Sequence, residues 1–143
     1  MTSDKNMESD TESIQKGSLD KKFRFRNFQV YKDARIFSRD VKQFSKKKFP
    51  RNEQFALQNQ LWRALDSIIL NIAEGADRGT DKDFALFLNR AHTSLNEVVA
   101  CLDVATDCGY ITGEDHTPFL LRAYGLANQL TAFRKNILSQ STK

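Results

Sequence analysis

The chain has 143 residues, of which 40% are hydrophobic and 28% charged, and a formal net charge of +4. This length suits one domain with a single core and leaves no room for a second domain. No apolar run approaches the roughly 20 residues that cross a bilayer, and the first twenty residues lack the apolar core of a secretory signal. We therefore expect a cytoplasmic protein without membrane contact, in which Cys101 and Cys108 stay reduced.

Composition shifts twice along the chain. Residues 1–22 are polar and show no periodicity, so we predict a disordered tail there and a folded domain over residues 23–143. Residues 21–51 contain twelve Lys and Arg against two Asp, whereas the segments on either side carry more acids than bases. The positive charge is therefore concentrated near the start of the folded domain.

Four blocks of apolar residues at helical spacing follow the tail, and they predict helices over about 28–48, 53–76, 81–108 and 117–139. Pro50 follows the first block, Thr80 opens the third as a side-chain cap, and Pro118 takes the first helical position of the fourth. No alternation typical of strands competes. The expected fold is all-α, an antiparallel up-down-up-down four-helix bundle with a disordered N-terminal tail.

A row of basic residues runs along the first predicted helix, on the side opposite its apolar positions. We call it the basic stripe; it consists of Lys32, Arg35, Arg39, Lys42 and Lys46, extended by Lys47, Lys48 and Arg51. The five helical members cover about 20 Å and match successive phosphates of a nucleic acid. The alternative is an ordinary solvated helix face, on which Lys and Arg are common.

A second row, the polar stripe, borders the apolar face of the second predicted helix. It consists of Gln60, Arg63, Ser67, Asn71, Glu74 and Arg78. One interpretation is a recognition surface for a partner or a nucleic acid. We favour the other, a hydrogen-bonded lattice that fixes helix register or a subunit interface, because half-buried polar groups need partners. Asn71 and Glu74 are the members most expected to be structural.

The sequence offers little support for catalysis. His92 and His116 fall on different elements, and no Glu is followed three residues later by His, as a di-iron bundle requires. Cys101 adjoins the apolar seam, where a thiol usually behaves as a small apolar group. We expect a protein that is not an enzyme, with no catalytic residue, no metal site and no cofactor.

Several short motifs resemble one protein family. In the second predicted helix they are Gln58 to Ala64, Ser67-Ile68 and Asn71 to Gly75, followed by Arg78. Others lie upstream and downstream: Phe28, Val30-Tyr31, Ala34, Phe49-Pro50, Asp83-Phe84, Phe87-Leu88, Ala91, Ser94-Leu95 and Glu97. Over about residues 27–138 the chain resembles the four-helix bundle proteins encoded in intervening sequences of bacterial 23S ribosomal RNA genes. It departs from their pattern at Leu70 and Thr93.

The resemblance implies a four-helix bundle that assembles as a homo-oligomer, with a ring of five favoured, and that has no known enzymatic activity. It also implies a more distant kinship with the accessory proteins of diversity-generating retroelements, which engage a reverse transcriptase and nucleic acid. We therefore expect a homo-oligomer, a pentamer being favoured, that binds nucleic acid, RNA above all, through the basic stripe. The alternative is a scaffold that docks an acidic protein partner such as a polymerase or reverse transcriptase.

Overall fold

The computed structural model describes the backbone of residues 15–141 and the side chains of residues 15–140. Five α-helices and no strand occur in this range, so the all-α class is confirmed and the predicted count of four helices is corrected to five. We number them α1 (residues 15–22), α2 (Gln29–Lys48), α3 (Leu57–Ala76), α4 (Asp81–Asp107) and α5 (Gly113–Ser141). None of these described helices combines the length and apolar character needed to cross a membrane.

Helices α2 to α5 enclose one core. Each packs against the next helix in the chain, and α2 also packs against α5. The apolar positions predicted for the first long helix point inward: Val30, Ala34, Phe37 and Val41 are buried and Phe44 is half-buried against the core. Burial of such side chains is the main favourable contribution to folding.

The end of α3 packs closely against the start of α4 at Gly75. A Cβ atom built on Gly75 would lie 2.6 Å from Cβ of Phe87 and 3.0 Å from Cδ1 of Phe84. Both distances are too short for a side chain to fit without movement of its neighbours. Glycine at this position therefore allows the two helices to pack closely.

The predicted tail is wrong over residues 15–22, which form α1; residues 1–14 of that prediction lie outside the described part of the chain. The segment lacks an apolar face, and Leu19 remains exposed. Backbone bonding continues past its end, where the amide of Phe23 donates to the carbonyl of Leu19 over 2.7 Å. Apolar periodicity does not indicate this helix, and Gly17 within it is a poor helix former.

Two predicted helix starts are also corrected. Helix α5 begins at Gly113 rather than 117, because the amide of Asp115 donates to Thr112 Oγ1 and the amide of Thr112 donates to the Asp115 carboxylate. Pro118 therefore lies in the second turn. Helix α3 begins at Leu57 rather than 53, because Arg51–Glu53 forms a separate 3-10 turn.

Candidate nucleic-acid interface

The basic stripe lies along α2. The exposed members on this helix are Lys32, Arg35, Arg39, Lys46, Lys47 and Lys48, and Arg51 is exposed in the loop that follows. Because α2 rises 1.5 Å per residue, the row from Lys32 to Lys46 is about 20 Å long. The stripe lies on the side of α2 that the sequence spacing predicts, because the apolar positions of α2 face the core.

Lys42 is the half-buried member of the stripe. Its ammonium group forms a salt bridge with Asp66 on α3 and lies 5.6 Å from the ring centroid of Trp62. One turn further along α2, the buried Ser45 accepts a hydrogen bond from Trp62 Nε1 over 2.9 Å. Lys42 therefore takes part in packing between α2 and α3.

The two carboxylates of α2 are bonded to side chains of α5, and Asp40 is also paired with Arg39 of the basic stripe. Asp33 accepts a hydrogen bond from Gln129 over 3.0 Å, and Asp40 forms a salt bridge with Arg122 over 3.0 Å. Burial alone would raise the pKa of Asp40, but hydrogen bonds from Arg122 and Arg39 outweigh it and hold the pKa below its usual range. The outer face of α2 is thus left with an excess of positive charge.

The polar stripe lies beside the junction of α3 and α4. The hydroxyls of Ser67 and Ser94 are 2.8 Å apart, and Asn71 Nδ2 donates to the carbonyl and the hydroxyl of Ser67. One end of the stripe is joined to α4 by a bond from Gln60 to Glu97. These contacts connect part of the stripe to α4.

The remaining members of the polar stripe are exposed. Arg78 lies with its guanidinium carbon 4.4 Å from the ring centroid of Phe87, and Arg90 approaches the same ring to 4.8 Å. Arg63 and Glu74 form no salt bridge within 4.0 Å among the described residues. The structure thus divides the stripe into bonded and solvent-facing members.

The side chains that could act in catalysis or bind a metal ion do not form one cluster among the described residues. Cys101 is buried, and its burial, together with the nearby Glu97 charge, raises the thiol pKa to about 11, so the thiol is protonated at neutral pH. His116 Nε2 lies 2.8 Å from the Asp103 carboxylate, far along the chain from His92. Across residues 15–140 no three His, Cys, Asp or Glu side chains form a group that could hold a metal ion.

Two features of this surface were not singled out from the sequence. Arg122, from the far end of the chain, forms a salt bridge with Asp40, which also pairs with Arg39 of the basic stripe. Phe55 falls within the segment predicted as helix, but it lies in the loop before α3 and is exposed. The sequence signal for Phe55 is its position just before the apolar face of α3, which begins at Leu57.

A groove of about 440 Å³ lies between α4 and α5. Its lining is mainly apolar and includes Val99, Leu121, Tyr124 and Ala127. Leu121 is 66% exposed and Tyr124 is 68% exposed. Neighbouring exposed apolar side chains of this size often mark a surface for association.

Comparison with known proteins identifies relatives of this fold. The sequence profile of the 23S rRNA-intervening sequence protein family matches residues 26–132. No curated protein matches the chain. Among solved structures, the chain is similar to a protein of unknown function from the S23 ribosomal protein family of Bacteroides thetaiotaomicron, with 24% identity and a TM-score of 0.68. The match covers 74% of this chain and 95% of the other, and at this identity it shows the shared fold.

Proposed function

Because the chain belongs to the 23S rRNA-intervening sequence protein family, we propose that it is a non-enzymatic, homo-oligomeric helical bundle that binds nucleic acid, preferably RNA, through the basic stripe. Family membership alone assigns no activity. The observation that carries the proposal is the separation of charge on α2. Lys32, Arg35 and Lys46 face solvent, whereas Asp33 and Asp40 are held by side chains of α5.

This separation suits a phosphate backbone. Cations repeat about once per helical turn, or every 5 Å, so that one face of α2 can contact several phosphates at once. Carboxylates on the same face would repel these phosphates. Asp33 and Asp40 are bonded to Gln129 and Arg122 of α5, and Asp40 also pairs with Arg39.

The exposed apolar groove between α4 and α5 supports assembly into an oligomer. Burial of Leu121 and Tyr124 against a second copy would remove apolar surface from water. A ring of five is the state that we propose from the family resemblance. Repetition of the basic stripe around such a ring would convert a weak contact into tight binding. Native mass spectrometry measures the number of subunits directly.

The experiment is a gel-shift series with a structured RNA and a DNA of the same sequence at about 50 and about 200 mM salt. We expect the RNA affinity to fall steeply with salt. The double variant Arg35→Glu, Arg39→Glu should lose binding while keeping its helical circular dichroism. The matched control is Arg134→Glu, Lys135→Glu, which makes the same charge change on exposed positions of α5.

Unchanged binding by the α2 variant, or equal loss by both variants, would contradict a specific role for the basic stripe. Absence of RNA and DNA binding by the wild type would contradict the proposed function as a whole. If an acidic protein such as a polymerase or reverse transcriptase were captured after nuclease treatment instead, the scaffold alternative would be correct.

A further inference from the structure

Phe55 lies in the loop between α2 and α3, and its side chain is 91% exposed. This is the highest value among the large exposed apolar side chains of the described residues. Single exposed apolar residues are common on protein surfaces and need no explanation by themselves. Phe55 differs because of how its loop is held and which residues surround it in the chain.

The loop is fixed to the bundle by Glu53. Its carboxylate accepts one hydrogen bond from the Tyr110 hydroxyl over 2.9 Å and another from the Leu57 amide over 3.1 Å. Before the loop, the buried ring of Phe49 packs against Tyr110 with centroids 6.0 Å apart. Residues on both sides of Phe55 are therefore bonded to the bundle. These contacts fix the loop from which the ring extends into solvent.

The same end of α2 carries the densest part of the basic stripe. Lys46 and Lys47 form part of its last turn, and Arg51 lies in the loop itself. Lys48 is near enough to Asp115 for its charge to act on that carboxylate. Lys46, Lys47 and Arg51 are exposed cations that precede Phe55 in the chain.

We infer that Phe55 stacks on an unpaired base of the nucleic acid whose phosphates the basic stripe binds. An exposed aromatic ring beside cations is the arrangement by which proteins hold single-stranded nucleic acid, since every base offers a face for stacking. Paired bases inside a duplex do not offer that face. This inference rests on the proposed function and narrows the ligand to RNA with unpaired nucleotides in a loop or at a strand end.

The test compares Phe55→Ala with wild type on two probes, an RNA hairpin with an unpaired loop and a fully paired RNA duplex of similar length. Loss of one base stack lowers affinity about fivefold or more. We expect that loss for the hairpin and no more than a small change for the duplex, with the salt dependence unaltered. Leu70→Ala, which shortens another exposed apolar side chain, is the matched control and should leave both affinities unchanged.

Phe55→Trp supplies a second measurement. It should keep the hairpin affinity, and its fluorescence should be quenched on addition of hairpin RNA, after subtraction of the signal from Trp62 in the wild type. If the wild type binds RNA but Phe55→Ala leaves the ratio of hairpin to duplex affinity unchanged, the inference is wrong and the proposed function stands. A smaller oligomer in Phe55→Ala would show that Phe55 contacts a second copy instead. If the wild type binds no nucleic acid, the proposed function fails.

Discussion

Helices α2 and α3 both carry polar side chains at helical spacing, yet the structure uses them differently. On α3, Ser67 and Asn71 are bonded at the junction with α4, where Gly75 lets the helices approach closely. On α2, Lys32 and Arg35 extend into solvent on the side away from the core. The α3–α4 junction therefore depends on internal contacts, whereas the outer face of α2 has charge available for a ligand.

A polar row therefore indicates a binding surface only where its side chains are not already bonded within the protein. Lys42 shows the distinction within one row, because it belongs to the basic stripe by spacing but pairs with Asp66. Changes at the α3–α4 junction should thus affect stability. Changes on the outer face of α2 should affect ligand binding.

The largest effect is expected for Gly75→Ala. The added Cβ would lie 2.6 Å from Cβ of Phe87, and we expect overpacking to lower the free energy of unfolding by about 2 kcal/mol despite the better helix propensity of alanine. Urea denaturation followed by circular dichroism measures the change. The matched control is Gly125→Ala in α5, where nothing lies within 4 Å of the new Cβ and stability should rise by up to about 1 kcal/mol. If Gly75→Ala is as stable as the wild type, α3 and α4 pack less tightly at Gly75 than the distances indicate.

A smaller effect is expected from the serine pair at the same junction. Ser67→Ala and Ser94→Ala should each lower the free energy of unfolding by about 1 kcal/mol, because each leaves a half-buried hydroxyl without its partner across the helices. In a double-mutant cycle the second substitution should have less effect once the first is present. Strict additivity would mean that the two hydroxyls do not interact. Lys32→Ala on α2 should leave stability unchanged and serves as the reference.

Lys42→Met and Lys32→Met test the comparison within the basic stripe. Lys42→Met should lower stability by no more than about 0.5 kcal/mol, since its ion pair is partly exposed to water. Lys32→Met should leave stability unchanged but reduce the salt dependence of RNA binding by about one unit on a log-log plot. Thermal denaturation and salt-dependent gel shifts separate the two effects. If both variants show the same stability and the same salt dependence of RNA binding, then Lys42 and Lys32 do not differ in the way that we propose.

The smallest effect concerns pH. The pKa of Asp40 lies below its usual range in the folded protein, so its carboxylate stabilises the fold above the usual pKa, and this contribution is lost as pH falls through the lowered value. Asp40→Asn should melt at a slightly lower temperature than wild type at neutral pH. That gap should close in acid, once the wild-type carboxyl is protonated. Asp77→Asn, at an exposed site after α3, is the control; a gap that persists in acid would point to packing instead of charge.

The helices were predictable where apolar periodicity defined them. The predictions 28–48 and 81–108 differ by one residue from α2 and α4. The starts of α3 and α5 were missed because Glu53 and the pair Thr112 and Asp115 cap the helices at other positions. Helix α1 was missed because it has no apolar face that a periodicity analysis can detect.

The side of α2 on which the candidate site lies was predictable from the sequence. Which of its residues bond to other helices was not. Helical periodicity alone places the basic stripe on the side of α2 that faces away from the core of the bundle. It does not show that Asp66 and Trp62 engage Lys42, nor that Arg122 holds Asp40, because these partners lie on other helices. Phe55 was missed for a similar reason, since its exposure depends on contacts of Glu53 and Phe49 with Tyr110.

The all-α class, the long helices and the side of α2 that carries positive charge all follow from the amino-acid sequence. These follow from the 3.6-residue period, which relates neighbours along one helix. Which polar groups are bonded and which remain available to a ligand depends on how the helices pack together. That distinction depends on side chains far apart in the chain, whose distances are set by how the helices pack.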